Sequence, residues 1–316
     1  MIEGQVADLR NLFGRPLPRQ EQPRRRCRSI AISSGKGGVG KTNLVVNLAV
    51  VLSGLGARVL VVDADLSLAN ADVLMGVRPA QNVADALAGR RGLEEVVTTG
   101  PLGVALLPGA SGLTHLADLP PAQRTCLLDR LAQLEASVDM VLIDTGAGIG
   151  ATVRDFAAAA GEVLVVTTPE PSAIADAYAL VKVVHQEAPR TRFGLVVNQV
   201  SSRGEAAEVA RKVTSVARRF LGLEITDRGY LPADPMLPQA VMRQMPVVIA
   251  YPHSPASLAL TSLGEQLWRE SKQAMGYPRQ AASHFQEPSP RATQQRTAQH
   301  PFIFSRVRAA ASRRML

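Results

Sequence analysis

Cysteine is nearly absent from this sequence, with 2 in 316 residues, Cys27 and Cys126. Two distant thiols cannot build a disulfide framework, a four-thiolate zinc site or an iron–sulfur ligand set, and neither belongs to a C-x-x-C pair. Aromatic residues are also scarce, at 4% of the chain, while 46% is apolar. That excludes an aromatic-rich β-sandwich and global disorder, and favours a tightly packed α/β architecture built on Ala, Val and Leu. No run of about 18 apolar residues occurs, so no membrane-spanning helix is expected. The first residues lack the apolar core of a secretory leader. The 5 histidines are scattered without metal-ligand spacing. A reduced protein working in the cytosol is the expectation.

Acidic residues are outnumbered, 27 against 35 basic ones, for a formal charge of +8. Such an excess points toward nucleic acid or anionic lipid, but its distribution decides between them. Residues 1–28 hold seven Arg against three acids, and residues 271–316 hold eight basic residues against one acid, which leaves the middle at −3. A mildly acidic body disfavours a DNA-binding face.

Along the chain, Pro16, Pro18, Pro23 and the Arg24–Arg26 run mark residues 1–28 as a flexible basic segment. Strand-like runs follow at 29–34, 58–65, 104–108, 138–144, 162–169, 193–200 and 228–232. Most are continuous apolar stretches such as VLVVD and VLVVTT, the pattern of strands covered on both faces. The spacers at 41–55, 120–136, 172–186, 205–220 and 257–272 have helical periodicity. The alternation predicts a single α/β domain over 29–275, with a mainly parallel sheet of seven or eight strands and helices on both faces. Residues 276–300 are rich in Gln, Ser and Pro and read as a disordered linker.

The strongest local signal is Gly35-Lys36-Gly37-Gly38-Val39-Gly40-Lys41-Thr42, with Asn43 next, between a strand and a helix. It satisfies G-x-x-x-x-G-K-[ST], the phosphate-binding P-loop. Glycines let backbone N–H groups approach phosphates, and the helix N-terminus adds a favourable dipole. Lys41 is expected to reach the β- and γ-phosphates, and the Thr42 hydroxyl to ligate Mg²⁺. Two further strands end in carboxylates, Asp63 and Asp65 in VLVVDAD and Asp144 in MVLID. Of the first pair, one carboxylate can hold metal-bound water and the other can position the attacking water. Asp144 has the Walker B setting, expected to meet Mg²⁺ through a water.

The extra lysine at the second loop position, Lys36, makes this P-loop similar to the deviant Walker A motif of the MinD/ParA class of ATPases. The stretches VLVVDADLSLANADVLMGV, LIDTGAGIG and TTPEPSAIADAYALVK resemble those of its flagellar-number regulators, known as FlhG, FleN or YlxH. The resemblance implies ATP and ADP as ligands, and a slow hydrolysis that needs an ATP-bound homodimer. Lys36 would reach the partner's nucleotide, Asp65 would position water, and Asp63 would lie near the metal. It further implies Asn198 as the base-binding amide, with the Pro232–Asp234 loop covering the base; an ordinary turn explains that loop equally well.

Both ends bear on partners. Residues 4–10 resemble a segment with which family members dock on the signal-recognition-type flagellar GTPase FlhF; a frayed tail is the competing reading. Residues 301–316, FIFSRVRAAASRRML after Pro301, form a basic amphipathic helix if helical, suited to the anionic inner surface of the cell membrane. An unstructured basic tail is the alternative. The expected protein is therefore a membrane-cycling ATPase that regulates flagellar number or placement, with basal-body components or a transcription activator as partners. A DNA-binding partition ATPase, or an ATP-bound antiactivator of a flagellar transcription factor, are the alternatives. Met236, Met242 and Met245 are expected to fill core, as is Trp268.

Overall fold

The computed structural model describes residues 27–65, 69–110 and 120–275. The expected docking segment at 4–10, the linker at 276–300 and the helix at 301–316 lie outside the described residues.

One sheet of eight strands organises the domain: β1 (Arg28–Ser34), β2 (Val59–Ala64), β3 (Thr98–Thr99), β4 (Ala105–Leu107), β5 (Met140–Ala147), β6 (Glu162–Thr167), β7 (Arg192–Val200) and β8 (Ile225–Pro232). Their order is β3-β4-β2-β5-β1-β6-β7-β8, parallel throughout except for the β3–β4 pair. The chain builds outward from β1 in one direction and then, after β5, in the other. That reversal opens a crevice at the carboxyl ends of the central strands, where such sheets bind ligands.

The helices are α1 (Lys41–Gly54), α2 (Ala71–Met75), α3 (Val83–Leu87), α4 (Leu93–Val96), α5 (Pro121–Leu134), α6 (Ala151–Ala160), α7 (Pro171–Glu187), α8 (Arg203–Leu221), α9 (Met236–Met242), α10 (Val247–Ala250) and α11 (Pro255–Ala274). Alternate strand residues feed two cores. Ala31, Val141, Ile143, Val163 and Val165 pack with α5, α6, α7 and α8, while Ile30, Ile32, Leu142, Leu164 and Val166 pack with α1, α9, α10 and α11. Helix α1 is apolar nearly all round because the sheet covers one side and α11 the other. Gly264 allows that contact: a Cβ there would stand 2.5 Å from Val51 Cγ1.

The five long helices fall within two residues of the sequence expectation. Helix α6 is not among the expected helices, although Val153, Phe156 and Ala157 bury one face at helical spacing. Strand β8 begins at Ile225 rather than 228; Asp227, a poor strand former, interrupts the signal that Ile225 and Thr226 carry. Trp268 is buried as expected and Met236 packs against the core, but Met242 is 86% exposed and Met245 41%. The core-filling expectation therefore fails for these two: Met242 ends α9 facing outward, and Met245 lies in the turn that follows.

At the opposite pole, the buried Glu162 binds Arg28 at 2.9 Å and Arg192 and Arg228 at 3.2 Å. Arg28 also donates to Leu267 O at 2.9 Å, so the start of β1 is fastened to β6 and α11.

Candidate active site

The P-loop leaves β1 at Ser34 and enters α1 at Lys41. Its first glycine is required by packing: a Cβ on Gly35 would stand 2.1 Å from Asp176 O in α7. Gly40 has φ +91°, in the left-handed region, and a Cβ there would meet Asn198 Nδ2 at 2.4 Å. No Cβ obstructs Gly38 (φ +77°), so the loop can approach a ligand closely. Ser34 Oγ donates to Lys36 O at 2.7 Å, and Gly148 N donates to Ser34 O at 2.9 Å, tying the loop to the end of β5.

Register sets the carboxylates side by side, since Asp63 of β2 pairs with Asp144 of β5. Lys41 is buried beside them. Burial lowers its pKa, against the pull of Asp144 and Asp65 that favours the ammonium. Burial, reinforced by the charge of Asp144, pushes Asp63 up to about 8. Burial raises Asp144 to about 7, opposed by the Thr42 hydroxyl and Lys41. Asp63 Oδ2 accepts from Asn70 N at 3.1 Å and Ala71 N at 3.0 Å, so it also caps α2. Asp65 faces the end of β5, within 3.9 Å of where a Gly146 side chain would begin.

Asp63 Oδ1 is buried without a hydrogen-bond partner, and the buried Asp144 oxygens have only the nearby Thr42 hydroxyl and Lys41 ammonium to offset them. Carboxyl oxygens this buried and this poorly satisfied call for a cation, and together with the Thr42 hydroxyl they form an oxygen donor set that fits Mg²⁺. Among the described residues no cluster of three His, Cys, Asp or Glu could hold a metal by itself.

Lys36 stands at the rim. Its Nζ binds Glu170 Oε1 and lies 3.0 Å from Ser172 Oγ, both at the N-terminal end of α7. The sequence reading missed this pair, which lies inside TTPEPSAIADAYALVK; a Glu and a Ser flanking a helix-starting Pro were the available signal.

On the other side, Asn198 lies against the P-loop, and Pro232 of β8 pairs with Val200 just beyond it. Asp234 is different. Its two oxygens accept from Met236 N at 2.8 Å and Ala256 N at 2.9 Å, and these bonds hold its carboxyl below the usual range despite burial. Its carboxylate thus braces the loop against α11. The thiols take no part: both are free, and burial pushes Cys27 up to about 12, away from reactivity. No helix among the described residues is long and apolar enough to cross a membrane.

A family model described as an AAA domain matches residues 27–195. Antiactivator FleN of Pseudomonas aeruginosa is 42% identical over 238 residues, covering 75% of this chain and 85% of that protein. Flagellum site-determining protein YlxH of Helicobacter pylori is 41% identical over 192 residues, covering 60% of this chain and 64% of that one. The septum site-determining protein MinD of Pyrococcus horikoshii, solved in complex with Mg-ADP, superposes with a TM-score of 0.66 at 29% identity, over 77% of this chain and 96% of that one. The shared fold, the deviant P-loop and this degree of identity agree: the chain belongs to the AAA-domain P-loop ATPases of the MinD/ParA class, in the group that includes FleN and YlxH.

Proposed function

We propose that this protein is an ATP- and Mg²⁺-dependent switch that dimerises when ATP is bound, cycles on the inner face of the cell membrane and regulates flagellar number or placement. Lys36 carries the reading: it is a second ammonium at the rim of a phosphate cradle whose interior Lys41 already fills. The names of two relatives, an antiactivator and a flagellum site-determining protein, point its output toward flagella.

The N–H groups of Gly35–Thr42 and the start of α1 would take the β- and γ-phosphates, with Lys41 balancing their charge. Thr42, Asp63 and Asp144 would hold Mg²⁺, which when bound neutralises charge on the transferred phosphoryl group. Asp65 would accept a hydrogen bond from the attacking water and orient it. Lys36 would leave Glu170 and Ser172 to meet the nucleotide of a second copy, as an arginine finger does. Water adds to the γ-phosphorus, the bond to the bridging oxygen of ADP breaks, and inorganic phosphate leaves. Asn198 and the Pro232 loop would flank the base. Two copies of segment 301–316 would act on the membrane by avidity and lose it when the dimer parts. Segment 4–10 would dock a flagellar GTPase of the signal-recognition type. An antiactivator role, favoured by the name of FleN, is compatible with this cycle. It requires that the ATP-bound form bind a transcription activator.

Sedimentation with anionic liposomes tests the cycle, with ATP or ADP, for the full chain, a chain ending at His300 and Lys36→Ala. ATP should drive pelleting of the full chain alone. Equal pelleting of all three, or in both nucleotides, would refute it.

A further inference from the structure

We propose that Asn198 and Gln199 are positioning residues that brace the P-loop from behind and aim its N–H groups at the phosphates. The inference rests on the P-loop being the phosphate site, and adds a role distinct from base binding.

Strand β7 keeps pace with β8 through Leu195, then shifts register between Leu195 and Val197 and again between Val197 and Val200. Such irregularities re-aim side chains at the end of a strand. Gln199 has φ 58°, one of the few non-glycine residues in the left-handed region. Backbone held there by a residue with a side chain is a feature of sites where geometry is over-determined. The turn places two consecutive amides against the loop. Asn198, 6% exposed, donates from Nδ2 to Val39 O at 2.7 Å and accepts from Gln199 N at Oδ1 at 2.8 Å. Gln199 Nε2 faces Gly38 O at 3.5 Å, a longer and weaker contact. The Asn198 amide lies so flush on the loop that Gly40 has no room for a Cβ.

The consequence follows from peptide geometry. In a trans peptide the C=O and the following N–H point in opposite directions. Drawing the Val39 carbonyl outward therefore turns the Gly40 N–H inward, and holding the Gly38 carbonyl does the same for the Val39 N–H. The bond from Asn198 fixes this orientation before any ligand arrives, which removes reorganisation from the binding step. Its acceptor oxygen is already engaged by Gln199 N, so the amide cannot flip without losing both bonds.

Amide hydrogen exchange on the nucleotide-free full chain separates bracing from base reading, because a base contact is absent without nucleotide. Asn198→Ala should speed exchange in peptides covering 35–44 by about tenfold, the equivalent of one net hydrogen bond, and leave peptides from α11 unchanged. Gln199→Val, which cannot hold φ 58° comfortably, should do likewise, whereas Gln199→Gly should change it by no more than about twofold. In competition against a fluorescent ATP analogue, Asn198→Ala should weaken GTP and inorganic tripolyphosphate as well as ATP, the tripolyphosphate loss reading the brace alone. Unchanged exchange in Asn198→Ala, or a loss confined to ATP, would overturn the proposal. Should Asn198→Ala fail to fold, the two Gln199 variants decide by themselves: equal behaviour overturns it. A wild-type chain that binds no nucleotide would instead refute the phosphate-site reading, and the exchange result would stand apart from it.

Discussion

Replacing Asp63 by Asn should stabilise the metal-free protein near neutral pH, although it removes a carboxylate from the ATPase site. Burial and the Asp144 charge raise the Asp63 pKa from 3.8 to about 8. Across that window the folded chain holds a proton that the unfolded chain has shed. Stability from this group is fully present below the unfolded pKa and falls as pH rises toward about 8, by about 1.4 kcal/mol per pH unit. Between pH 5 and pH 7 the loss is about 3 kcal/mol, or roughly 5–10 °C in Tm for a domain of this size. Asparagine does not titrate. Because Asn70 N and Ala71 N both donate to Oδ2 and Oδ1 is orphaned, an asparagine oxygen can keep both bonds. Urea unfolding in EDTA at pH 5 and pH 7 should show Asp63→Asn losing about 2–3 kcal/mol less than wild type over that interval. Adding Mg·ADP should help wild type increasingly as pH rises, since the ion binds the ionised carboxylate, and should help the variant less. Parallel pH dependences in EDTA would refute the reasoning.

Further substitutions test the packing of the site and of the domain around it. Gly35→Ala drives a Cβ into Asp176 O at 2.1 Å; with backbone on both sides, ATP affinity should fall more than about tenfold by calorimetry. Gly264→Ala sets a helix-propensity gain of about 1 kcal/mol against a contact at 2.5 Å from Val51 Cγ1, and overpacking should win by about 1 kcal/mol in urea unfolding. Adding Val51→Ala should lower the cost of the Gly264 change, as a double-mutant cycle would measure. Glu162→Gln leaves Arg28 and Arg228 with a neutral amide on one side while Glu270 still pairs with both, and should cost about 1–3 kcal/mol in urea unfolding with the nucleotide site untouched.

The sequence by itself determined the α/β class, the five long helices and the P-loop, because these rest on local periodicity and on a loop whose spacing serves one chemistry. It also supplied Asp63, Asp65 and Asp144 as strand-end carboxylates. Only the tertiary structure decided which of them meet. Asp63 and Asp144 are far apart in the chain and adjacent through the β2–β5 register, and their raised pKa values come from burial that no local pattern reveals. Asp234 stands in a promising loop, yet two backbone N–H groups, one of them from α11, claim its oxygens. Glu170 and Ser172 reach Lys36 across more than a hundred residues of chain. Met242 and Met245 look like core in a linear reading and face outward, because Met242 stands on the last residue of the short α9 and Met245 in the turn after it. Local sequence fixes which backbone shapes and which chemical groups are available; non-local packing fixes which of those groups lose their water and which neighbour they meet instead.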